Sequence, residues 1–432
     1  MAGPWIDYIA RRSYLLQQGR FVADVAYFVG EDEPAGTLAA DGRLTDLPRR
    51  HAFDFVNATA ILKQFEVDKG ELVTPGGARY RALYLSGTSD RMTLPVLQRI
   101  AELVEKGATV VGDAPHSSPS LADNPDEFAA LVRKMWSGKA VTGLGKGRVV
   151  SGRDVEAALE RHGTAPDFAV MVANSDEAGV PKIDFVHRAL ADGEIYYLHN
   201  PALQPVTFEA SFRVVGKQPE LWDAVTGKVS LLSYRIENGR TIVPLSLADE
   251  KSLFVIFRRP TTARARVVSM PKPIEIAQLN QSWAVWFQTG RGAPASIDLP
   301  ALSPLNENAD PGIRYFFGVA SYRTTLTVSR SAARERHLLL DLGKVGDLAE
   351  VWVNGKLAGS PWAAPYRVDI TSFVKPGANR LEVRVANLWV NRLIGDAQPG
   401  AHKVAWTAMP TYTAAAPLRP SGLIGPVTLL EQ

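Results

Sequence analysis

The sequence predicts a multidomain chain of α/β plus all-β class: a doubly wound α/β domain, a small antiparallel β-sandwich and a C-terminal jelly roll. Three observations predict it. Apolar runs of strand length alternate with helical segments over the first ~160 residues. Period-2 patterning takes over beyond them. The 432 residues suffice for about three domains of roughly 150 residues each.

Each element has a local warrant. In "PWIDYIARRSYLLQQG" (4–19), Trp5, Tyr8, Ile9, Leu15 and Leu16 fall near the i, i+3, i+4 spacing of one buried helical face, and Gly19 sits where a C′ residue belongs. "FVADVAYFVG" (21–30) is mostly apolar, as expected of a strand buried on both faces. "AFDFVNATAIL" (52–62) reads as a helix and "RALYLSG" (81–87) as a strand. "MTLPVLQRIAELVEKG" (92–107) reads as a helix capped by Thr93, with Pro95 in its first turn and Gly107 as its stop. A strand at 108–113, a helix near 125–136, a strand at 148–150 and a helix through Val155, Leu159 and His162 continue the alternation.

From residue 164 strands dominate. In 206–216, Val206, Phe208, Ala210, Phe212 and Val214 share one face, and Thr207, Glu209, Ser211 and Arg213 the other. Asn238–Gly239 and Asn354–Gly355 are two-residue hairpin turns, and Pro376–Gly377 is a further turn. Strands from "SWAVWFQ" through "NRLEVRVANLWV" to "GPVTLLE" have jelly-roll spacing.

Composition excludes several classes of function. Basic residues number 48 and acidic ones 45, closely interspersed and without a polybasic run, so neither nucleic acid nor an anionic membrane is implied. No apolar run reaches the ~20 residues of a membrane span, and no leader is visible at the N-terminus. The chain has no cysteine, which removes disulfides, thiolate metal sites and cysteine nucleophiles. The seven histidines show no HxH or HExxH spacing, so zinc is not expected. No cofactor is identified; a calcium ion stays open, but no motif supports it.

Several short stretches carry residue types suited to chemistry. Glu31, Asp32 and Glu33 follow a strand at the edge where doubly wound sheets bind ligands, and read either as a solvated loop or as a loop shaping the mouth of a neighbouring domain. Asp54 and Asn57 read as ties at a helix start rather than as ligand contacts. His116 beside Ser117 and Ser118 lacks a nucleophile elbow. "TGLGKGRVV" (142–150) imitates a phosphate loop but precedes a strand and lacks the G-K-[ST] ending. The strongest candidate is "NLWVNRLIGD" (387–396): Asn387, Asn391, Arg392 and Asp396 surround Trp389 at the end of a strand. An exposed Trp beside Asn and Arg offers a sugar both an apolar face and hydrogen-bonding groups. The alternative is that Trp389 is core, with Asn391 and Arg392 stabilising the following loop. Trp362, Tyr366 and Trp352 read as packing residues. No catalytic residue is assigned.

Three segments carry a resemblance. "PWIDYIARRSYLLQQGRFVADVAYFVGEDEP" resembles the junction after the catalytic barrel in family 106 glycoside hydrolases, the α-L-rhamnosidases. "HRALADGEIYYLHNP" with "PELWDAVTGK" resembles the small sandwich that follows in that family. "YFFGVASYRTTLTV" and "LAEVWVNGKLAGSPWAAPYRVDITSFVKPGANRLEVRVANLWVNRLIGD" resemble its galactose-binding-like jelly roll, shared with the sugar-binding domain of family 2 glycosidases. The first domain is similar to the amidotransferase-like domain of multidomain glycosidases, and lacks its nucleophilic cysteine. The resemblance implies this order: 1–20, terminal helix of a barrel missing from this chain; 21–163, amidotransferase-like domain without catalysis; 164–262, small β-sandwich; 263–274, linker; 275–432, galactose-binding-like jelly roll. It implies a rhamnose-containing glycan and an upstream (α/β) barrel, domain or chain, as partners, and a periplasmic or extracellular location. Three roles stay open: support and sugar-site rim for that barrel, a stand-alone carbohydrate-binding protein, and a structural protein without ligand.

Overall fold

A computed structural model describes residues 1–172, 180–269, 272–332 and 337–432. Residues 173–179 of the expected sandwich, 270–271 of the expected linker and 333–336 of the expected jelly roll lie outside the described residues. The chain divides into two compact units, Ala10–Val268 on the one hand and Met1–Ile9 with Ser269–Gln432 on the other. Among the described residues, no helix is long and apolar enough to cross a membrane.

In the Ala10–Val268 unit, a six-stranded sheet runs Phe53–Val56, Val25–Phe28, Ala82–Leu85, Thr109–Val111, Gly147–Val150, Val141–Leu144. All neighbours pair in parallel except the last, a hairpin. Successive side chains of a strand point to opposite faces, so an apolar run fills two cores at once. Ala26, Phe28, Leu83, Leu85 and Val110 meet Ile61, the Leu94–Lys106 helix and Phe128 on one face. Val25, Tyr27, Tyr84 and Val111 meet Leu38, Val155, Ala158 and Leu159 on the other. Helices on both faces make this a doubly wound sheet.

Two local expectations are corrected. Residues 52–62 are not one helix. Phe53–Val56 is an edge strand, and the helix is only Ala58–Lys63, because the Asn57 side chain accepts from the Ala60 amide at 3.0 Å and starts it there. Asp54 accepts from the Tyr80 hydroxyl at 2.8 Å. Thr93 does not cap its helix with its own side chain. The Glu31 carboxylate accepts from the Thr93 amide (2.6 Å) and hydroxyl (3.1 Å), and Asp123 accepts from the Leu94 amide (2.7 Å). Carboxylates suit a helix N-terminus, where orphan amides and the dipole favour negative charge.

Besides a small three-stranded sheet of Glu66–Asp68, Glu71–Val73 and Arg79–Tyr80, the same unit holds two larger antiparallel sheets. One runs Arg20–Phe21, Asp184–Ala189, Glu194–His199, Ser252–Pro260, Lys217–Trp222, Val229–Leu231. The other runs Phe168–Met171, Val206–Phe212, Arg240–Leu247, Tyr234–Glu237, Ala265–Arg266. Phe168, Tyr196, Phe208, Phe212, Val243, Val255 and Phe257 fill the space between them. On the outer face of the first sheet, Ile195, Tyr197, Phe254 and Ile256 receive Leu15, with Leu16 packed alongside.

The Ser269–Gln432 unit is also built on antiparallel sheets, of four and six strands among the described residues, with a two-stranded ribbon of Lys344–Val345 and Leu423–Gly425. The central pair, Gly318–Val328 with Gly377–Asn387, is in register over eleven residues. Ala320, Tyr322 and Leu326 lie beside Leu381, Val383 and Val385 on the buried face of this pair, in a core that includes the fully buried Trp283. Asn354 and Gly355, at φ +53° and +82°, close their hairpin as the type I′ geometry demands.

Candidate functional site

The strand Gly377–Asn387 ends one residue before the exposed pair Leu388–Trp389, and the helix Val390–Asp396 follows directly. Strand pairing with Gly318–Val328 fixes the position of Asn387. Its side chain is buried; Oδ1 accepts from the Gly422 amide at 2.6 Å, and Nδ2 donates to the Gly318 and Val385 carbonyls at 3.2 Å each. Asn391, buried on the helix, clasps Arg419 by both backbone groups: Nδ2 donates to its carbonyl and Oδ1 accepts from its amide, each at 2.8 Å.

Arg392 and Asp396, one helical turn apart and both buried, form an ion pair at 2.9 Å. The Arg392 guanidinium lies over the Tyr315 ring at 5.6 Å. Asp396 accepts from the amides of Val404 (3.0 Å) and Ala405 (2.8 Å). Gly395 is required by this packing, because a Cβ there would fall 2.5 Å from the Tyr315 ring and 2.8 Å from Arg392.

Four of the five sequence-predicted site residues are therefore buried pegs, and the fifth is the exposed group. Trp389 is 64% exposed, so it is not core. The pegs hold the irregular segment 397–422, which presents Trp406 (86% exposed) and Met409 (75% exposed). Asn391 stabilises the following loop, and Trp389 stands in solvent rather than in the core. Buried polar groups must be hydrogen-bonded, and here the bonds fix a loop that has no regular structure to hold it.

Sequence reasoning missed Asp347, Arg419 and Trp406. Asp347 Oδ2 accepts from the Leu388 amide at 3.0 Å, at the foot of Trp389. Burial raises its carboxyl above the usual range, against the opposing pull of that amide and of Arg419. Nothing in the sequence near Asp347 signals this, because its partner lies 41 positions away. Trp406 was legible as an isolated Trp in a Gly/Ala/Pro-rich tract.

Several of the other stretches make internal contacts, although Glu31, Asp32, Glu33 and Asn57 also line a concavity of about 760 Å³ and His116, Ser117 and Ser118 another of about 570 Å³. Glu31 serves the Leu94–Lys106 helix as described, Glu33 pairs with Arg43, and Asp32 is 4.0 Å from Arg91. The 142–150 stretch is the Val141–Leu144/Gly147–Val150 hairpin. Trp362 packs on Tyr8 with ring centroids 4.8 Å apart, Tyr366 donates to the Asp347 carbonyl, and Trp352 lies under Arg384. Among the described residues no group of three or more His, Asp or Glu could hold a metal ion.

Comparison with known proteins places this geometry. Residues 1–236 match the family model for glycoside hydrolase family 106, alpha-L-rhamnosidase, and residues 315–419 match that of the glycosyl hydrolase 2 galactose-binding domain-like family. The solved rhamnosidase from Novosphingobium sp. PP1Y is 50% identical with a TM-score of 0.91, covering 99% of this chain and 41% of that one. A putative beta-glucuronidase of Formosa agariphila is 23% identical over 91% of this chain and 52% of its own length. A solved beta-glucuronidase from an uncultured Clostridium is 22% identical, covers 38% of this chain and 31% of that one, and has a TM-score of 0.29, too low to carry an argument. The chain thus spans about half or less of the length of these two fuller matches. It belongs to glycoside hydrolase family 106, the α-L-rhamnosidases.

Proposed function

We propose that this chain is the accessory region of an α-L-rhamnosidase-like glycoside hydrolase, working with an (α/β) barrel, domain or chain, that supplies the catalytic acid and base. In this reading 1–20 is the helix that meets the barrel. Residues 21–163 are an amidotransferase-like scaffold, 164–262 a small sandwich, 263–274 a linker and 275–432 the galactose-binding-like jelly roll. Trp389, with Asn387, Asn391, Arg392 and Asp396 fixing its surroundings, contributes to the rim of the sugar site.

The observation that carries this reading is the match to a solved rhamnosidase of which the chain covers only 41%. Two features agree with it. Trp5, Ile6 and Ile9 of the N-terminal helix are 48%, 56% and 41% exposed, an apolar face of the kind that marks a docking surface. The doubly wound sheet carries no cysteine, the nucleophile that amidotransferase chemistry of this kind uses, which agrees with a scaffold role. A second reading, carbohydrate binding without any barrel, draws on the exposed Trp389 and Trp406.

Assay of an aryl α-L-rhamnoside tests the first reading. The purified chain alone is expected to give no turnover, and a family barrel added to it to restore turnover. Cleavage by the chain unaided, abolished by changing one of its own carboxylates, would overturn the proposal. Saturable binding of a rhamnose-containing oligosaccharide, without gain on adding a barrel, would favour the second reading.

A further inference from the structure

In the Ala10–Val268 unit a concavity of about 600 Å³ opens beside the starts of strands Thr109–Val111 and Gly147–Val150, at the edge opposite Glu31. Its size falls within the roughly 300–1,000 Å³ typical of small-molecule sites. The cationic side chains of Lys69, Arg81, Lys106, Lys146 and Arg148 line it, against the carboxylates of Asp68 and Glu71.

Both carboxylates are already engaged. Arg79 binds Asp68 at 2.9 Å and Glu71 at 2.7 Å, and Arg81 lies 3.5 Å from Glu71 and 3.1 Å from Asp24. Lys106 is on Glu66 at 3.1 Å. Among the described residues no carboxylate lies within ion-pair distance of Lys69, Lys146 or Arg148. Arg148 Nη1 donates to His162 Nδ1 at 2.9 Å, which leaves the imidazole neutral and the guanidinium held in place. Burial, with the neighbouring charges of Arg148 and Arg161, keeps that histidine below its ordinary value.

A cation cluster at helix ends has an ordinary explanation, compensation of the dipole and of orphan carbonyls. Here the carbonyls are already satisfied by backbone. Those of Leu103, Val104 and Glu105 accept from the amides of Ala108, Gly107 and Lys146, and those of Leu159 and Glu160 from His162, Thr164 and Gly163. The three unpaired cations are surplus to that need. Thr109 and Thr164 add hydroxyl-bearing side chains to the lining.

We infer that this concavity is an anion site for a compact, multiply charged oxyanion of the phosphate or sulfate class, held by Lys69, Lys146 and Arg148. The same group is recognised whether free or carried on a sugar. Charge-assisted hydrogen bonds from a fixed guanidinium and two mobile ammonium groups are the chemistry that selects it. The inference is independent of the rim role assigned to Trp389.

Calorimetric titration of the full chain tests it, with sodium sulfate, pyrophosphate and galactose 6-sulfate as probes and potassium chloride of equal ionic strength as reference. Saturable binding of at least one oxyanion is expected. It should weaken about tenfold or more in the double variant Lys69→Asn/Lys146→Glu, and separately in Arg148→Gln. Asn tolerates the positive φ of 52° at position 69. Lys228→Glu, an exposed site elsewhere, should leave affinity unchanged. Tighter binding of the sugar sulfate than of inorganic sulfate would identify a carried group; equal binding would identify the free ion. Heats no different from chloride for every probe, or an equal loss in Lys228→Glu, would overturn the site.

Discussion

Two charge networks each bury a carboxylate among cations, one as an extended chain and the other as a closed cluster. In the Ala10–Val268 unit, Asp24 is 3% exposed and takes His51 at 2.9 Å, Arg213 at 2.9 Å and Arg81 at 3.1 Å. Arg213 reaches on to Asp167 at 3.3 Å, Asp167 to His187 at 2.7 Å, and His187 to Glu194 at 3.0 Å, with the imidazole stacked on Tyr196 at 4.0 Å. In the Ser269–Gln432 unit, Glu382 sits between Arg323 (3.1 Å) and Arg384 (2.7 Å) on the outer face of a sheet. Those guanidiniums lie over the rings of Trp286 and Trp352 at 4.5 and 4.6 Å.

The difference is one of connectivity. Glu382 is itself only 6% exposed, but it answers two arginines that both keep water contact, and among the described residues these three ionic groups form a closed cluster. Asp24 and Asp167 are each 3% exposed and are linked through Arg213 to two buried imidazoles, so each group depends on its partners remaining in place, although Arg81 and Arg213 keep some water contact. The closed cluster can lose a member; the extended chain cannot.

The largest expected effect is at Asp24. Asp24→Ala leaves His51 without its acceptor and Arg213 with Asp167 as its one carboxylate among the described residues, and should cost about 3–5 kcal/mol in urea unfolding. A loss no greater than that at Glu382 would erase the distinction between the two networks. Next comes pH. Burial pushes the Asp24 carboxyl up, but His51 and Arg213 outweigh it and hold it at about 2, below its ordinary 3.8. That stabilisation, of order 2–3 kcal/mol, is complete above the ordinary value and is lost as pH falls toward 2. His187 moves oppositely: burial lowers it, yet Asp167 and Glu194 raise it above 6.5. Its contribution is complete below 6.5 and lost as pH rises through the raised value, so His187→Gln should flatten the alkaline limb of a stability–pH curve.

Asn391→Ala comes third. It uncouples both backbone groups of Arg419 and should cost about 1–3 kcal/mol, with faster amide exchange at Arg419. Glu382→Gln should cost less than Asp24→Ala, because both of its arginines keep water contact, and the cost should shrink at high salt. Trp389→Ala should leave stability within about 0.5 kcal/mol, because the ring is exposed, while abolishing any glycan binding at this rim.

What the sequence disclosed divides along the same line. Alternation of strand and helix before residue 164 was legible because each element carries its own period and punctuation. So was the Asn354–Gly355 hairpin, whose signal is two adjacent residues. Phe53–Val56 was misread because its alternation is short and runs without a break into the Ala-rich helix behind Asn57. The buried chain was invisible, since Asp24 and Arg213 stand 189 positions apart. At 387–396 the sequence showed which residue types gather, but not that four face inward and one outward, because burial there is set by the loop 397–422 rather than by helical period.

The start of the Leu94–Lys106 helix is written elsewhere in the chain. Its first amides are answered by Glu31, 62 positions upstream, and by Asp123, 29 positions downstream. A peptide of these thirteen residues would therefore fray at its beginning, whatever its intrinsic preference. Slow deuterium uptake at Thr93 and Leu94 should appear only after three distant segments have converged, making those two amides a clock for the late assembly of the sheet.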